Sequence, residues 1–133
     1  ALNAPRLFRL ANGTFGVVVG ASTGGLFALE SDGSARFSIN LSQHINERMI
    51  VPPATADLDG DGSDELIVVL ASTSEGRIQV VNLAGVTLWT QPTRLLGRAS
   101  MPLVVDIDGD GAYDIVLAGA DGQVNAWTST GEI

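Results

Sequence analysis

The 133-residue sequence predicts an all-β fold made of three tandem repeats, each a meander of about four short antiparallel strands. Three observations lead there. The acidic, glycine-punctuated runs Asp57-Leu58-Asp59-Gly60-Asp61-Gly62-Ser63-Asp64-Glu65 and Asp106-Ile107-Asp108-Gly109-Asp110-Gly111-Ala112-Tyr113-Asp114 begin 49 residues apart. Each run leads into a short β-branched apolar stretch, Leu66-Ile67-Val68-Val69-Leu70 or Ile115-Val116-Leu117, of the kind that forms a buried strand. Beyond that, Glu75-Gly76-Arg77-Ile78-Gln79-Val80-Val81-Asn82-Leu83-Ala84-Gly85 aligns without a gap with Asp121-Gly122-Gln123-Val124-Asn125-Ala126-Trp127-Thr128-Ser129-Thr130-Gly131.

The middle repeat shows the plan. Its strands are expected at residues 50–56, 65–71, 77–83 and 86–90, with the acidic run joining the first to the second. Connections this short force antiparallel neighbours. The first repeat follows the same template through Val17-Val18-Val19-Gly20-Ala21 and Gly24-Gly25-Leu26-Phe27-Ala28-Leu29. Its loop has shrunk to Leu10-Ala11-Asn12-Gly13-Thr14, which has no carboxylate, so no metal is expected there. Residues 42–49 read either as a helical turn or as a connection between repeats, the part that 93–100 plays later. Four strands in a period of forty to fifty residues mark a β-propeller blade. The blades are expected at about 5–46, 47–98 and 99–133, all within one propeller-type domain or segment. The last is incomplete, because the chain stops at Gly131-Glu132-Ile133 where the second repeat makes another strand. Fewer than four blades do not close a ring. Two resolutions are expected: a segment of a larger propeller, or a homo-oligomer in which identical chains complete it, with residues 6–10 supplementing a partner's last blade. The opening Ala1-Leu2-Asn3, without an initiator methionine, reads as a processed product or a segment of something longer.

The chemistry of the acidic runs follows from their spacing. Carboxylates at loop positions 1, 3 and 5 are Asp57, Asp59 and Asp61 in one run and Asp106, Asp108 and Asp110 in the other. Glycines at positions 4 and 6 let the chain coil tightly enough to aim them at one centre. Position 9 returns an acid, Glu65 or Asp114, and the position 7 carbonyl, from Ser63 or Ala112, supplies a neutral oxygen. So many like charges at close range call for a cation. Ca2+ fits better than Mg2+, because it takes six to eight oxygens in flexible geometry. Two calcium sites are therefore expected. The helix–loop–helix alternative needs a glutamate at position 12, where this chain has Val68 or Leu117. An acidic turn without metal needs one or two such residues, and here four acids stand in register.

Composition bounds the partners. Hydrophobic residues make up 45% of the chain, enough for a core of one-domain size. Net charge is −8, with nine of the fifteen acids in the two loops, and two divalent cations would reduce it to −4. The seven basic residues are all arginines, scattered among an acid excess, which argues against nucleic acid. Cysteine is absent, which removes disulfides, thiolate zinc sites and thiol nucleophiles. No apolar stretch nears the roughly 18 residues of a spanning helix, so no direct membrane insertion is expected, and no secretory signal is read at the amino terminus.

The motif Asp-x-Asp-Gly-Asp-Gly-x-x-Asp/Glu followed by an apolar strand resembles the FG-GAP or VCBS-type repeat of integrin α-subunit propellers and of many bacterial secreted or surface proteins. The resemblance implies calcium ligation by Asp57, Asp59, Asp61 and Glu65, and by Asp106, Asp108, Asp110 and Asp114. Gly20-Ala21-Ser22 stands where the family has Gly-Ala-Pro, and Phe15-Gly16 falls after its loop and not before it. Gly85-Val86-Thr87-Leu88-Trp89 is similar to repeats of quinone-binding propellers, with Trp89 and Trp127 read as packing residues between blades.

The resemblance implies a calcium-stabilised, non-catalytic binding or interaction module with a protein or glycan partner, in an extracellular, cell-surface or periplasmic setting. The alternative is a segment of a propeller-based carbohydrate-active enzyme, a polysaccharide lyase or glycosidase, or of a quinoprotein-like scaffold. Outside the loops the acids are Glu30, Asp32, Glu47, Glu75, Asp121 and Glu132, with no repeated geometry. Asp32 and Asp121 precede glycines and read as turn residues. His44 reads as a surface polar residue, and Arg48 and Arg98 as solvated or salt-bridging linker residues. The segment itself is therefore expected not to be an enzyme.

Overall fold

A computed structural model describes residues 1–94, 99–119 and 122–133. The described residues form strands and turns with no helix. The first blade is a meander of β1 (Arg6–Arg9), β2 (Phe15–Gly20), β3 (Gly25–Leu29) and β4 (Ala35–Asn40), in that spatial order. The second contains β5 (Arg48–Met49), β6 (Ala54–Ala56), β7 (Glu65–Ala71), β8 (Gly76–Val81) and β9 (Thr87–Thr93). The third has β10 (Leu103–Val105), β11 (Asp114–Ala118) and β12 (Val124–Thr128). Every strand pairing is antiparallel. Four strand positions, four again and then three reproduce the predicted repeats with an incomplete last blade.

Two expectations need correction. The strand expected over 50–56 is confined to Ala54–Ala56, because Pro52 and Pro53 cannot donate to a ladder, and a separate short strand, β5, precedes it at Arg48–Met49. β5 pairs with Leu70 and Ala71, whereas β6 pairs with Glu65 to Ile67. The final strand of the blade starts at Thr87 and runs on to Thr93, past the exposed Pro92. Residues 6–9 form the first strand of their own blade, Arg6–Arg9 pairing in full register with Phe15 to Val18. The reason is local: Gly13, at φ 83°, closes a short turn in which Leu10 N–H donates to Thr14 O at 2.9 Å. Residues 42–49 make a connection ending in β5, with no helical turn. Arg98 and Asp121, the 47–98 boundary and half of the 93–100 connection lie outside the described residues.

Blades stack face to face through two apolar layers. Phe8, Val18, Leu26 and Ala28 of the first blade pack with Leu66, Val68, Leu70 and Val81 of the second. The other face of the second blade, Ile67, Val69, Ile78 and Val80, packs on Ile115, Leu117 and Trp127 of the third. Consequently all seven residues of β7 and all six of β8 are buried; β7 reads as an apolar run after Glu65, as a strand covered on both faces should, whereas β8 also buries Arg77 and Gln79. Gly16 permits one close approach: a Cβ there would overlap the Phe8 ring and the Leu29 carbonyl. Trp89 packs against the second layer and donates from Nε1 to Ser129 O at 2.9 Å, tying β9 to the last turn of the third blade. The end faces of the stack carry exposed apolar residues, including Phe15 and Phe27 on the first blade and Leu103 and Val124 on the third.

One buried ion pair fastens the connection between the first two blades. Arg77 Nη2 on β8 donates to Glu47 Oε2 at 3.1 Å and also to the Leu41 carbonyl, while Gln43 N–H donates to the same Glu47 oxygen at 2.7 Å. Removing one partner leaves an uncompensated buried charge, whereas replacing both with apolar groups of similar volume does not. Glu47→Ala should lower stability by about 3–5 kcal/mol, and the pair Glu47→Leu with Arg77→Met should recover most of that loss. Urea unfolding of the three chains checks this, and a double variant as unstable as Glu47→Ala would refute the account.

Candidate metal centre

The two acidic runs occupy equivalent places, joining β6 to β7 and β10 to β11. Both coil by the same device, in which each carboxylate captures backbone N–H groups of its own loop. Asp57 accepts from Gly60 at 2.8 Å through Oδ1 and from Gly62 at 3.0 Å through Oδ2. Asp106 does the same with Gly109 at 2.7 Å and Gly111 at 2.9 Å. Position 3 accepts from position 5 in both loops: Asp59 from Asp61, and Asp108 from Asp110. Position 5 accepts from position 7: Asp61 from Ser63, and Asp110 from Ala112. Such turns need left-handed backbone, and Gly62 and Gly111 both sit at φ 92°.

This bonding leaves oxygens to spare. Asp59, Asp61, Asp108 and Asp110 each commit Oδ1 to the backbone and keep Oδ2. One oxygen from each of Asp57, Asp59 and Asp61 lies within 4.8 Å of the others, and so do oxygens of Asp106, Asp108 and Asp114. Ligands of one calcium ion, each at about 2.3–2.6 Å, cannot stand more than roughly 5.2 Å apart. The donor set therefore fits a hard divalent cation in both spacing and chemistry.

The two loops differ in which acid completes the set. Glu65 stands outside the first trio, and Asp110 stands outside the second. The position 9 acid turns back on its own loop in each case: Leu58 N–H donates to Glu65 Oε2 at 2.8 Å, and Ile107 N–H to Asp114 Oδ2 at 2.9 Å. Glu65 is buried whereas Asp114 is half-buried. Burial pushes the Glu65 carboxyl up to about 7, the charges of Asp59, Asp61 and Asp57 push the same way, and the Leu58 hydrogen bond opposes them. Ser63 and Ala112 hold position 7, with the Ser63 Oγ accepting from Ala11 N–H at 3.1 Å.

Position 8, which the sequence reasoning passed over, docks the first loop onto its neighbour. Arg9 N–H donates to Asp64 Oδ2 at 2.7 Å, and Asp64 N–H donates back to Arg9 O at 2.8 Å. The signal was present, since position 8 is Asp64 in one loop and Tyr113 in the other. In the first blade's turn, Asn12 Oδ1 accepts from both the N–H and the hydroxyl of Thr14, so the shortened loop satisfies itself without carboxylates.

Other singled-out residues lie apart. His44 Nε2 is 3.5 Å from Glu75 Oε2, both well exposed. Glu30 pairs with Arg36 at 2.9 Å. Asp32 accepts from the Ser34 N–H and hydroxyl, bonds that hold its carboxyl below the usual value.

Stacked four-stranded antiparallel sheets with equivalent loops at one edge describe propeller blades. No curated protein matches this sequence. A family model does match, described as the lambda-carrageenase beta-propeller domain, over residues 17–95. It names a carrageenase domain and not an FG-GAP or VCBS repeat. It spans more than half of the chain, including the last three strands of the first blade and the second blade with its acidic loop. This chain belongs to the lambda-carrageenase beta-propeller domain family.

Proposed function

We propose that the chain is a calcium-braced, non-catalytic propeller segment of a carbohydrate-active protein, whose loop-bearing edge is presented to a sulfated galactan. The observation that carries the glycan part is the family match over residues 17–95. Lambda-carrageenan, the polymer in that family's name, is a sulfated galactan. An extracellular, cell-surface or periplasmic protein would meet both such a polymer and enough calcium, since modules in those settings bind Ca2+ at roughly 10⁻⁴–10⁻³ M.

Two features support a binding role in place of bond cleavage. Glycosidase chemistry uses a pair of carboxyl groups flanking the scissile bond, whereas Glu30, Asp32 and Glu47 are each held by Arg36, Ser34 and Arg77. The loop carboxylates give oxygens to their own backbone amides and are gathered closely enough to share a cation, the role this reading gives them. A second reading, an FG-GAP or VCBS-type module that binds protein, is favoured by the loop motif itself. The two readings share the calcium sites and differ in partner. Affinity electrophoresis in gels cast with lambda-carrageenan separates them. The chain should be retarded by the polymer and not by an uncharged galactan, and equal mobility in both gels would remove the glycan reading.

Calcium should contribute to stability by mass action. At roughly 1 mM free Ca2+ and a Kd of roughly 10⁻⁴ M, each site adds about 1.4 kcal/mol. Thermal unfolding should therefore show a clear gain over chelator, cut by about half in Asp57→Ala and in Asp106→Ala. A chain shown to be free of metal and indifferent to added calcium would refute the assignment.

The Glu65 carboxyl gives a pH signature to the metal-free chain. Its folded value of about 7 lies above its ordinary 4.5. The stability it contributes is thus full below about 4.5 and is lost as pH rises through about 7. Glu65→Gln keeps an acceptor for Leu58 N–H and cannot ionise. In chelator it should be the more stable chain at pH 8 by about 1–3 kcal/mol, with the difference gone at pH 4. A parallel offset between the two denaturation profiles at every pH would contradict this.

A further inference from the structure

We propose that the cleft between Arg9, at the end of β1, and Tyr113, in the third blade's loop, is a subsite for a sulfated sugar, in which Arg9 takes the sulfate and Tyr113 the pyranose face. The inference rests on the carbohydrate reading above and deepens it by naming the contact.

The first strand of the first blade meets β6 at this edge, and Val104 of β10 lines the same cavity. Thr55 of β6 donates from Oγ1 to the Leu7 carbonyl of β1 at 2.8 Å. A cavity of about 300 Å³ opens there, lined by Arg9, Thr55, Asp57, Asp64, Val104 and Tyr113. A second cavity of about 310 Å³ adjoins it, sharing Asp57 and Tyr113 and running between the two acidic loops past Asp59 and Gly111. Tyr113 therefore stands between two adjacent cavities, as an aromatic platform would between neighbouring units of a chain.

The two side chains proposed as contacts are unspent. Arg36 and Arg77 form ion pairs, and Arg6 donates to the Met101 sulfur. Arg9 is exposed, and its guanidinium makes no hydrogen bond or ion pair with the described residues. Two carboxylates line the same cavity without pairing with it. Asp57 has both oxygens turned to its loop amides, and Asp64 Oδ2 accepts from the Arg9 backbone N–H. Arg9 is thus held by its main chain, with a free five-donor fork at the cavity wall. A sulfate ester offers that fork two coplanar oxygens and one negative charge. Tyr113 is 48% exposed, and its hydroxyl likewise has no partner among the described residues. Binding sites of this kind combine an aromatic or apolar wall with a few placed polar groups, and Val104 and Tyr113 supply the wall here.

Isothermal titration of the calcium-loaded chain with a lambda-carrageenan oligosaccharide, and with the same oligosaccharide chemically desulfated, tests the assignment. Arg9→Ala should weaken the sulfated ligand about 10-fold and leave the desulfated one unchanged. Tyr113→Ala should weaken both about 10-fold, with Tyr113→Phe close to the parent. Arg9→Lys, which keeps a charge but loses the fork, should fall between parent and Arg9→Ala. Because Asp64 bonds to the Arg9 backbone, the Arg9 variants should unfold at the parent temperature. A parent that binds while Arg9→Ala and Tyr113→Ala bind equally well overturns the subsite and leaves the carbohydrate reading standing. A parent that binds neither oligosaccharide overturns both. An Arg9→Ala chain that loses the desulfated ligand equally overturns the sulfate contact.

Discussion

A sheet that is apolar on both faces cannot be stable alone, and the rest of this structure depends on that constraint. The middle blade buries Leu66, Val68 and Leu70 against one neighbour and Ile67 and Val69 against the other, so every residue of its central strand is out of water. Burial on this scale, at about 25 cal/mol per Å² of apolar surface, is the main force available to order short strands. It also explains why periodicity of two is missing from β7: alternation needs one wet face. The same rule makes the stack directional. Each blade has a face for the blade before and a face for the blade after, and at the two ends those faces still carry Phe27 and Val124 in water.

Stacking fixes blade against blade but leaves the strand ends to be organised, and the acidic loops do that with charge. Nine acids in two loops would repel one another as free side chains. Their first use is internal, because Asp57 accepts two amides and Asp106 three amides of their own loops, shaping them before any ligand is considered. The coiling aims the remaining oxygens inward, and burial of Glu65 beside them raises the cost of keeping the loop ionised. Calcium would reverse the sign of that cost, turning mutual repulsion into shared coordination. The blade without acids shows the alternative, since a loop of Asn12 and Gly13 has few amides to satisfy and does so with one side-chain oxygen.

Much of this was legible in the sequence because it rests on local pattern. The 49-residue offset, the apolar runs after each loop and the ungapped second match placed most strands within a few residues. The acidic loops were legible for the same reason, as spacing alone puts positions 1 and 3 together in both. What stayed hidden depends on contacts between distant segments. Pro52 and Pro53 confine to Ala54–Ala56 a strand whose apolar pattern looked continuous from residue 50, and β7 pairs with that segment and with β5 before the prolines. The ion pair of Glu47 with Arg77 joins a connection to a strand thirty residues away, and no local motif announces it. The set of gathered carboxylates also differs between the loops, because the position 9 acid is a longer, buried Glu65 in one and a half-buried Asp114 in the other.

Departures from the repeat carry more information about function than the repeat itself. Positions 1, 3 and 5 recur because every such loop must coil, so their sameness speaks of architecture. Position 8 is free of that duty, and there the two loops diverge: Asp64 clamps the neighbouring blade's backbone, whereas Tyr113 leaves its ring half-exposed beside an unpaired arginine. Tyr113 makes no backbone clamp of the kind Asp64 makes, so its half-exposed ring is left available for the contact proposed above, and it is the ring's place beside Arg9, more than its exposure, that motivates that proposal.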